Sequence, residues 1–190
     1  CLSEEERYEC TQFIMSECSR LQNMAYQLLD MALLRRDDRK DSDCSVKELF
    51  AESEKIMHMR AVEKKIRLAY DSSPNCVVRG NMEQLLILTN NLIDNAIKAS
   101  QQEDEIRIYA YAEESAVVVE VEDYGTGMEM EQISHIREAF YRVDKARSRA
   151  AGGAGLGLAI CERIVQMHNA DMSFISEPGV GTIVKLSFPA

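Results

Sequence analysis

Asn91-Leu92-Ile93-Asp94-Asn95-Ala96-Ile97-Lys98-Ala99-Ser100 decides how the rest of this chain is read. The stretch lies inside a helical pattern predicted to run from Met82 to Gln101. Asn91, Asn95 and Lys98 fall at i, i+4 and i+7, one narrow stripe at 3.6 residues per turn. Leu85, Leu92, Ala96 and Ala99 flank it on one side, and Leu86, Ile93 and Ile97 on the other. Burying both flanks is costly unless the amide–amide–ammonium stripe between them meets something polar. Two amide oxygens suit a hard cation, and a lysine suits phosphate oxygens. A stripe turned to solvent is the other reading of the helix taken alone.

Length and composition bound what surrounds this helix. A chain of 190 residues, 46% hydrophobic, can bury one full core and an appendage. With 22 basic and 32 acidic residues the net charge is −10, which argues against a nucleic-acid partner. Cys1, Cys10, Cys18, Cys44, Cys76 and Cys161 form no C-x-x-C pair and have no histidine at ligand spacing. They are read as free thiols of a reducing compartment. No apolar run approaches the ~20 residues needed to span a bilayer. The chain starts at Cys1, without a signal-peptide pattern, and is read as a piece of a longer protein.

Residues 3–36 read as one long helix. Ile14, Leu21 and Leu28 recur every seven residues, with Met24, Ala25, Met31 and Ala32 between, a coiled-coil-like seam that favours pairing with other helices. An ordinary amphipathic helix packed on its own domain is the plainer reading. The charged run 35–41 is a solvated linker. Ser45 and Glu48 are spaced as a capping box, opening a helix to about Arg60. Strands are expected at Lys65–Tyr70 and Cys76–Arg79, and a hairpin at Glu105–Ala112 and Ala116–Asp123. A short helix over Met130–Phe140, a helix over Leu158–His168, and a hairpin of Asp171–Ser176 with Thr182–Phe188 complete the chain. The sum is an α+β fold, a two-layer α/β sandwich whose antiparallel or mixed sheet is backed by three helices.

Three further segments carry chemistry. Asp123-Tyr124-Gly125-Thr126-Gly127 ends a strand, where a carboxylate can accept from an exocyclic amine and glycines admit a flat ligand; a tight turn is the plainer reading. Gly152-Gly153-Ala154-Gly155-Leu156-Gly157-Leu158 runs into a helix and can present backbone N–H groups to an anion, or serve as a flexible linker. It is neither a Walker A loop nor a dinucleotide fingerprint, because the spacing fits neither. Phe140 to Arg149 holds four basic residues in an acidic protein, the composition of a cationic lid or of a solvated loop.

Taken in order, these segments resemble the ATP-binding domain of sensor histidine kinases, within the superfamily that also holds gyrase-type, Hsp90-type and MutL-type ATPases. The asparagine stripe resembles the N box, Asp123–Gly127 the first glycine box and Phe140-Tyr141-Arg142 the F box. Gly153-Ala154-Gly155-Leu156-Gly157-Leu158 resembles the second glycine box, and Gly181-Thr182 the closing pair on a late strand. The resemblance covers roughly residues 46–190, and FYRVDKARS followed by GGAGLGLAI is specific to the histidine-kinase branch. It implies a Bergerat-type fold over 45–190, with 1–40 as the second helix of the dimerisation hairpin and its linker.

The resemblance also implies roles. Asn95 coordinates the Mg²⁺ that bridges the phosphates of ATP, with Asn91 beside it, and Lys98 contacts the phosphates. Asp123 binds the adenine amine in a pocket shaped by Gly125, Gly127 and Thr182. Arg142, beside Tyr141, reaches the γ-phosphate from the lid, while Gly153, Gly155, Leu156, Gly157 and Leu158 cradle the triphosphate. Asn91, Lys98 and Arg142 are the expected catalytic set. The expected partners are a response regulator and a second copy joined through the N-terminal helix, with no nucleic acid, in the cytoplasmic part of a membrane receptor. The chain departs from the family pattern at Ala99, where relatives carry an aromatic residue, and at Ala139, where they carry proline. None of His58, His135 and His168 has the H-E-x-x-T/N context of the phosphoacceptor; each reads as a surface or capping histidine, and the acceptor helix is expected to be missing. A serine kinase of the anti-sigma-factor type and a non-catalytic interaction module are the alternatives.

Overall fold

The computed structural model describes residues 3–33, 41–136, 138, 141 and 155–189. Its elements run α1 (Glu4–Leu33), β1 (Ser42–Ser45), α2 (Val46–Lys64), β2 (Arg67–Ser72), β3 (Val77–Gly80), α3 (Met82–Ala99), β4 (Glu105–Glu113), β5 (Ala116–Asp123), α4 (Met130–His135), α5 (Gly157–Met167), β6 (Asp171–Glu177) and β7 (Gly181–Pro189). The main sheet has the order β2-β4-β5-β7-β6. β2 and β4 are parallel and the other neighbours antiparallel, so the sheet is mixed.

Alternation along the strands decides which face is covered. Ile106, Ile108 and Ala110 of β4, Val117, Val119 and Val121 of β5, and Val184, Leu186 and Phe188 of β7 are buried in one core with the helices. α3 lies across the middle of that face, touching β4, β5 and β7, with α2 beside it over β2 and α5 on its other side against β6. The expected two-layer α+β architecture with three backing helices is what forms. Leu85, Leu88, Leu92, Ile93 and Ile97 of α3 are all buried, each contributing roughly 2 kcal/mol. On the opposite face Glu120 is 8% exposed. It is accommodated there by the hydroxyls of Tyr109 and Tyr111, which donate to it at 2.5 and 2.6 Å.

Several boundaries differ from the sequence reading. α1 is described over Glu4–Leu33, and the rest of the helix expected over 3–36, with residues 37–40, lies outside the described residues. α2 continues past Arg60 to Lys64, where Lys65 turns left-handed (φ 54°). There Lys65 N–H bonds the Val62 carbonyl and Ile66 N–H the Ala61 carbonyl, a Schellman closure. The Ser45–Glu48 capping box does not form: Ser45 makes no side-chain cap bond. Ser45 is instead the last residue of β1, paired with Val77, and the Val46 N–H goes to the Cys76 carbonyl at 3.0 Å. A capping box does form where none was expected, between Glu129 and Gln132 at the start of α4. That helix stops at His135 rather than Phe140. α3 stops at Ala99, because Ser100 is extended and its hydroxyl donates to the Ala96 carbonyl.

β1 was not foreseen. Ser42-Asp43-Cys44-Ser45 has no strand pattern of its own and is held by pairing with β3, which buries Cys44 and Val78. Along α1, Ile14 and Leu21 are exposed, while Met24 packs against the core and the helix touches α5. Among the described residues no helix is long and apolar enough to cross a membrane.

Candidate functional site

Asn81 starts α3 by accepting the Gln84 N–H at 3.1 Å. Nearly three turns later the polar stripe emerges: Asn91, Asn95 and Lys98 are half-buried, flanked by the buried Leu92, Ile93, Ala96 and Ile97. The Asn91 amide nitrogen donates back to the Ile87 carbonyl at 2.8 Å, which leaves its oxygen as the outward group. Lys98 folds back one turn, its Nζ 2.6 Å from Asp94. The other Asp94 oxygen lies 2.5 Å from the Arg60 guanidinium of α2.

The C-terminal end of the stripe meets the loop after β5. Asp123 is 7% exposed. Its carboxylate accepts the Gly125 N–H at 2.9 Å and a backbone bond from Thr182. Burial is the largest influence on this acid and pushes it up to about 6, against the opposing pull of those two backbone donors. Gly125 passes so close to α3 that a Cβ there would lie within 3.0 Å of the Ala99 carbonyl oxygen. Thr126 N–H donates to that same carbonyl at 3.2 Å. Gly127 is left-handed (φ 60°), and a Cβ on it would collide with the Glu177 carbonyl. A clasp of hydroxyls ties this loop to the last hairpin: Ser176 accepts the Met128 N–H, donates to the Gly181 carbonyl and sits 2.9 Å from the Thr182 hydroxyl.

The other end of the stripe meets α5. The Asn81 N–H donates to His168 Nε2 at 3.2 Å, and the Cys161 thiol points at the Leu88 carbonyl at 3.8 Å. Seven residues back along α5 thus correspond to seven forward along α3, so the helices run antiparallel. The start of α5 at Gly157 therefore lies toward the part of α3 that carries the stripe rather than toward Asn81. Its N-cap residue Leu156 makes no side-chain cap bond; the first N–H groups of a helix have no intrahelical acceptor and carry the positive end of its dipole. Leu156 is buried, Gly155 is left-handed (φ 74°), and Leu158 packs against the core.

The structure therefore brings together Asn91, Asn95, Lys98, Asp123, Gly125, Gly127, Thr182, Gly155, Leu156, Gly157 and Leu158 around one helix. The Tyr141 ring lies 5.6 Å from that of His135. Phe140, Arg142 and Gly153 lie outside the described residues. Four participants escaped the sequence reading. Asp94 was legible as an i,i+4 partner of Lys98, Arg60 and Ser176 carried no local signal, and His168 was read only as a surface or capping histidine. His168 does cap α5, as one reading of it had it, but it is buried: its Nδ1 is 2.8 Å from the Ile164 carbonyl while Nε2 accepts from Asn81.

A buried carboxylate, close-approach glycines, an amide stripe and a helix N-terminus are thus gathered on and around α3. Residues 80–190 match the family described as histidine kinase-, DNA gyrase B-, and HSP90-like ATPase. The chain belongs to that family. It is 31% identical over 179 residues to the phosphate regulon sensor protein PhoR of Pseudomonas aeruginosa, covering 93% of this chain and 40% of that one. The structure of full-length ShkA in complex with AMPPNP aligns with all of this chain and 40% of its own, at TM-score 0.78 and 25% identity. Histidine kinase ThkA in complex with the response regulator protein TrrA shares the fold, at TM-score 0.78 and 19% identity, over all of this chain and 53% of that one. The resemblance to the ATP-binding catalytic domain of sensor histidine kinases is thus borne out. The chain spans about two-fifths of the length of PhoR.

Proposed function

We propose that this chain is the ATP-binding catalytic part of a two-component sensor histidine kinase. In the intact protein it delivers the γ-phosphoryl of Mg·ATP to a histidine other than His58, His135 and His168, from which a response regulator aspartate receives it. The observation that carries this reading is the α3 stripe bracketed by the Asp123 loop and the start of α5. From Leu92 to Ala99 is about 10 Å along the helix axis, so base and phosphates are read at opposite ends of one rigid element.

Each residue's task follows from its chemistry. Asp123, ionised above its raised pKa, accepts from the adenine amine, while Gly125 and Gly127 let the loop close against the Ala99 and Glu177 carbonyls and so hold the wall of that pocket. Thr182, held by Ser176, borders the same pocket. The side-chain oxygens of Asn91 and Asn95 are hard donors suited to Mg²⁺, with Asn95 the principal ligand. Lys98 and the start of α5 supply positive charge to the phosphates. Bound Mg²⁺ would supply neutralisation of the charge that builds on the phosphoryl oxygens. Tyr141, Arg142 and Gly153 complete the set from the lid and the second glycine box. A homodimer through α1, with Ile14 and Leu21 in its seam, and placement of this part in the cytoplasm below a receptor belong to the same proposal.

The test is calorimetric titration of a non-hydrolysable ATP analogue, with and without Mg²⁺, into the chain and into Asn95→Ala and Asp123→Asn. Metal-dependent binding, lost in the first variant and weakened for the base in the second, is expected. An unaltered chain that binds no nucleotide overturns the reading in favour of a non-catalytic interaction module.

A further inference from the structure

Lys98 is the candidate phosphate-binding cation, yet it is not presented freely: it is already engaged by a carboxylate. We propose that Asp94 is a positioning residue that aims Lys98 at the phosphates, with Arg60 of α2 keeping that carboxylate from cancelling the lysine's charge. This rests on the nucleotide-site reading and adds to it two residues, one from a different helix.

The geometry is specific. Side chains on an α-helix lean toward its N-terminus. Lys98, drawn to Asp94 at 2.6 Å, therefore carries its ammonium one turn back, level with Asn95 rather than with Ala99 at the base-binding end. A lone Asp94–Lys98 pair would be neutral and a poor lure for a polyanion. The Arg60 guanidinium on the other carboxylate oxygen, at 2.5 Å, adds a second cation, so the three groups together keep one net positive charge. The Asp94 side chain is 19% exposed, against 53% for Arg60 and 31% for Lys98, so the carboxylate is the least solvent-screened member and the natural anchor. A free lysine has many rotamers to lose when it meets its ligand; one held in place has fewer.

The sign of the effect separates this role from simple electrostatics. Removing a carboxylate near a triphosphate should tighten nucleotide binding if only charge counts. If Asp94 positions Lys98, its removal weakens binding instead. The experiment is calorimetric titration of a non-hydrolysable ATP analogue and of adenosine into the unaltered chain, Asp94→Ala, Asp94→Asn, Asp94→Glu, Lys98→Ala and the Asp94→Ala/Lys98→Ala double variant. Thermal unfolding is followed in parallel. Expected are roughly five-fold weaker analogue binding by Asp94→Ala and Asp94→Asn, recovery in Asp94→Glu, unchanged adenosine binding, and no further loss from Asp94→Ala once Lys98 is gone. Should Asp94→Ala lower the unfolding midpoint, the similarly sized Asp94→Asn carries the test. Unchanged or tighter binding by the Asp94 variants, or an equal loss in the Lys98→Ala background, overturns the proposal while leaving the nucleotide site standing. A Lys98→Ala variant that binds the analogue as well as the unaltered chain removes Lys98 from the site, and this proposal with it.

Discussion

Asp123→Asn separates the cost of burying this carboxylate, whose size follows from its raised pKa, from the proposed role in binding the base. Burial lifts the Asp123 acid from 3.8 to about 6 in the folded chain. Each pKa unit corresponds to about 1.4 kcal/mol, so ionised Asp123 weighs against folding at pH 7 by on the order of 3 kcal/mol. The sign follows from proton affinity. The folded acid holds its proton more tightly than the unfolded one, so this residue's contribution improves as pH falls from 7 through 6 toward 4. It worsens as pH rises through that window. Asparagine is close in shape to the protonated carboxyl, with one oxygen to accept from the Gly125 and Thr182 backbone, and it cannot ionise. The variant should therefore be more stable than the unaltered chain by roughly 2 kcal/mol at pH 7, with the gap closing toward pH 4. Function should move the other way. Without an ionised acceptor for the adenine amine, affinity for the ATP analogue should fall by about ten-fold or more. Urea unfolding at pH 7, 5.5 and 4, paired with calorimetry, reads both quantities. A variant less stable than the unaltered chain at pH 7, or a stability gap that does not change with pH, would refute the reasoning.

The other predictions concern the frame around the site. Asn95→Ala should abolish the Mg²⁺ dependence of nucleotide binding while leaving the unfolding midpoint nearly unchanged, since Asn95 is half-buried at the surface of a helix held by its apolar faces. Gly125→Ala places a methyl against the Ala99 carbonyl and should destabilise the fold by about 2 kcal/mol or more while weakening nucleotide binding; denaturant unfolding checks the first and calorimetry the second. Gly80→Ala drives a Cβ into the His168 ring, so its cost should shrink when combined with His168→Ala, and a double-mutant cycle measures the coupling. Ser176→Ala should cost about 1–2 kcal/mol by leaving the Met128 N–H unpaired, read as a lower urea midpoint.

Where chemistry and secondary structure coincide on one element, the chain could be read directly. The α3 stripe needed only helical periodicity, and the burial of Leu92, Ile93, Ala96 and Ile97 on its flanks agrees with that reading. Boundaries were harder where tertiary contacts compete with local signals. Ser45 has the residue type and spacing of a cap, yet the pairing of β1 with β3 takes it instead. Glu129 lacks the usual cap identity, yet forms the box with Gln132.

By itself the sequence determined the α+β class, the order of the motifs and the stripe that carries Asn91, Asn95 and Lys98. Those depend on periodicity and on glycine, asparagine and aspartate chemistry, which act over a few residues. Only the tertiary structure decided that α5 runs antiparallel to α3 with His168 on Asn81, that Ser176 clasps the loop after Asp123, and that Arg60 shares Asp94 with Lys98. These contacts join residues 34 to 87 positions apart, and no local pattern encodes a partner that distant. Burial, too, had to wait for the fold: the same aspartate that ends β5 as a turn residue becomes a raised acid because the sheet and α3 close over it.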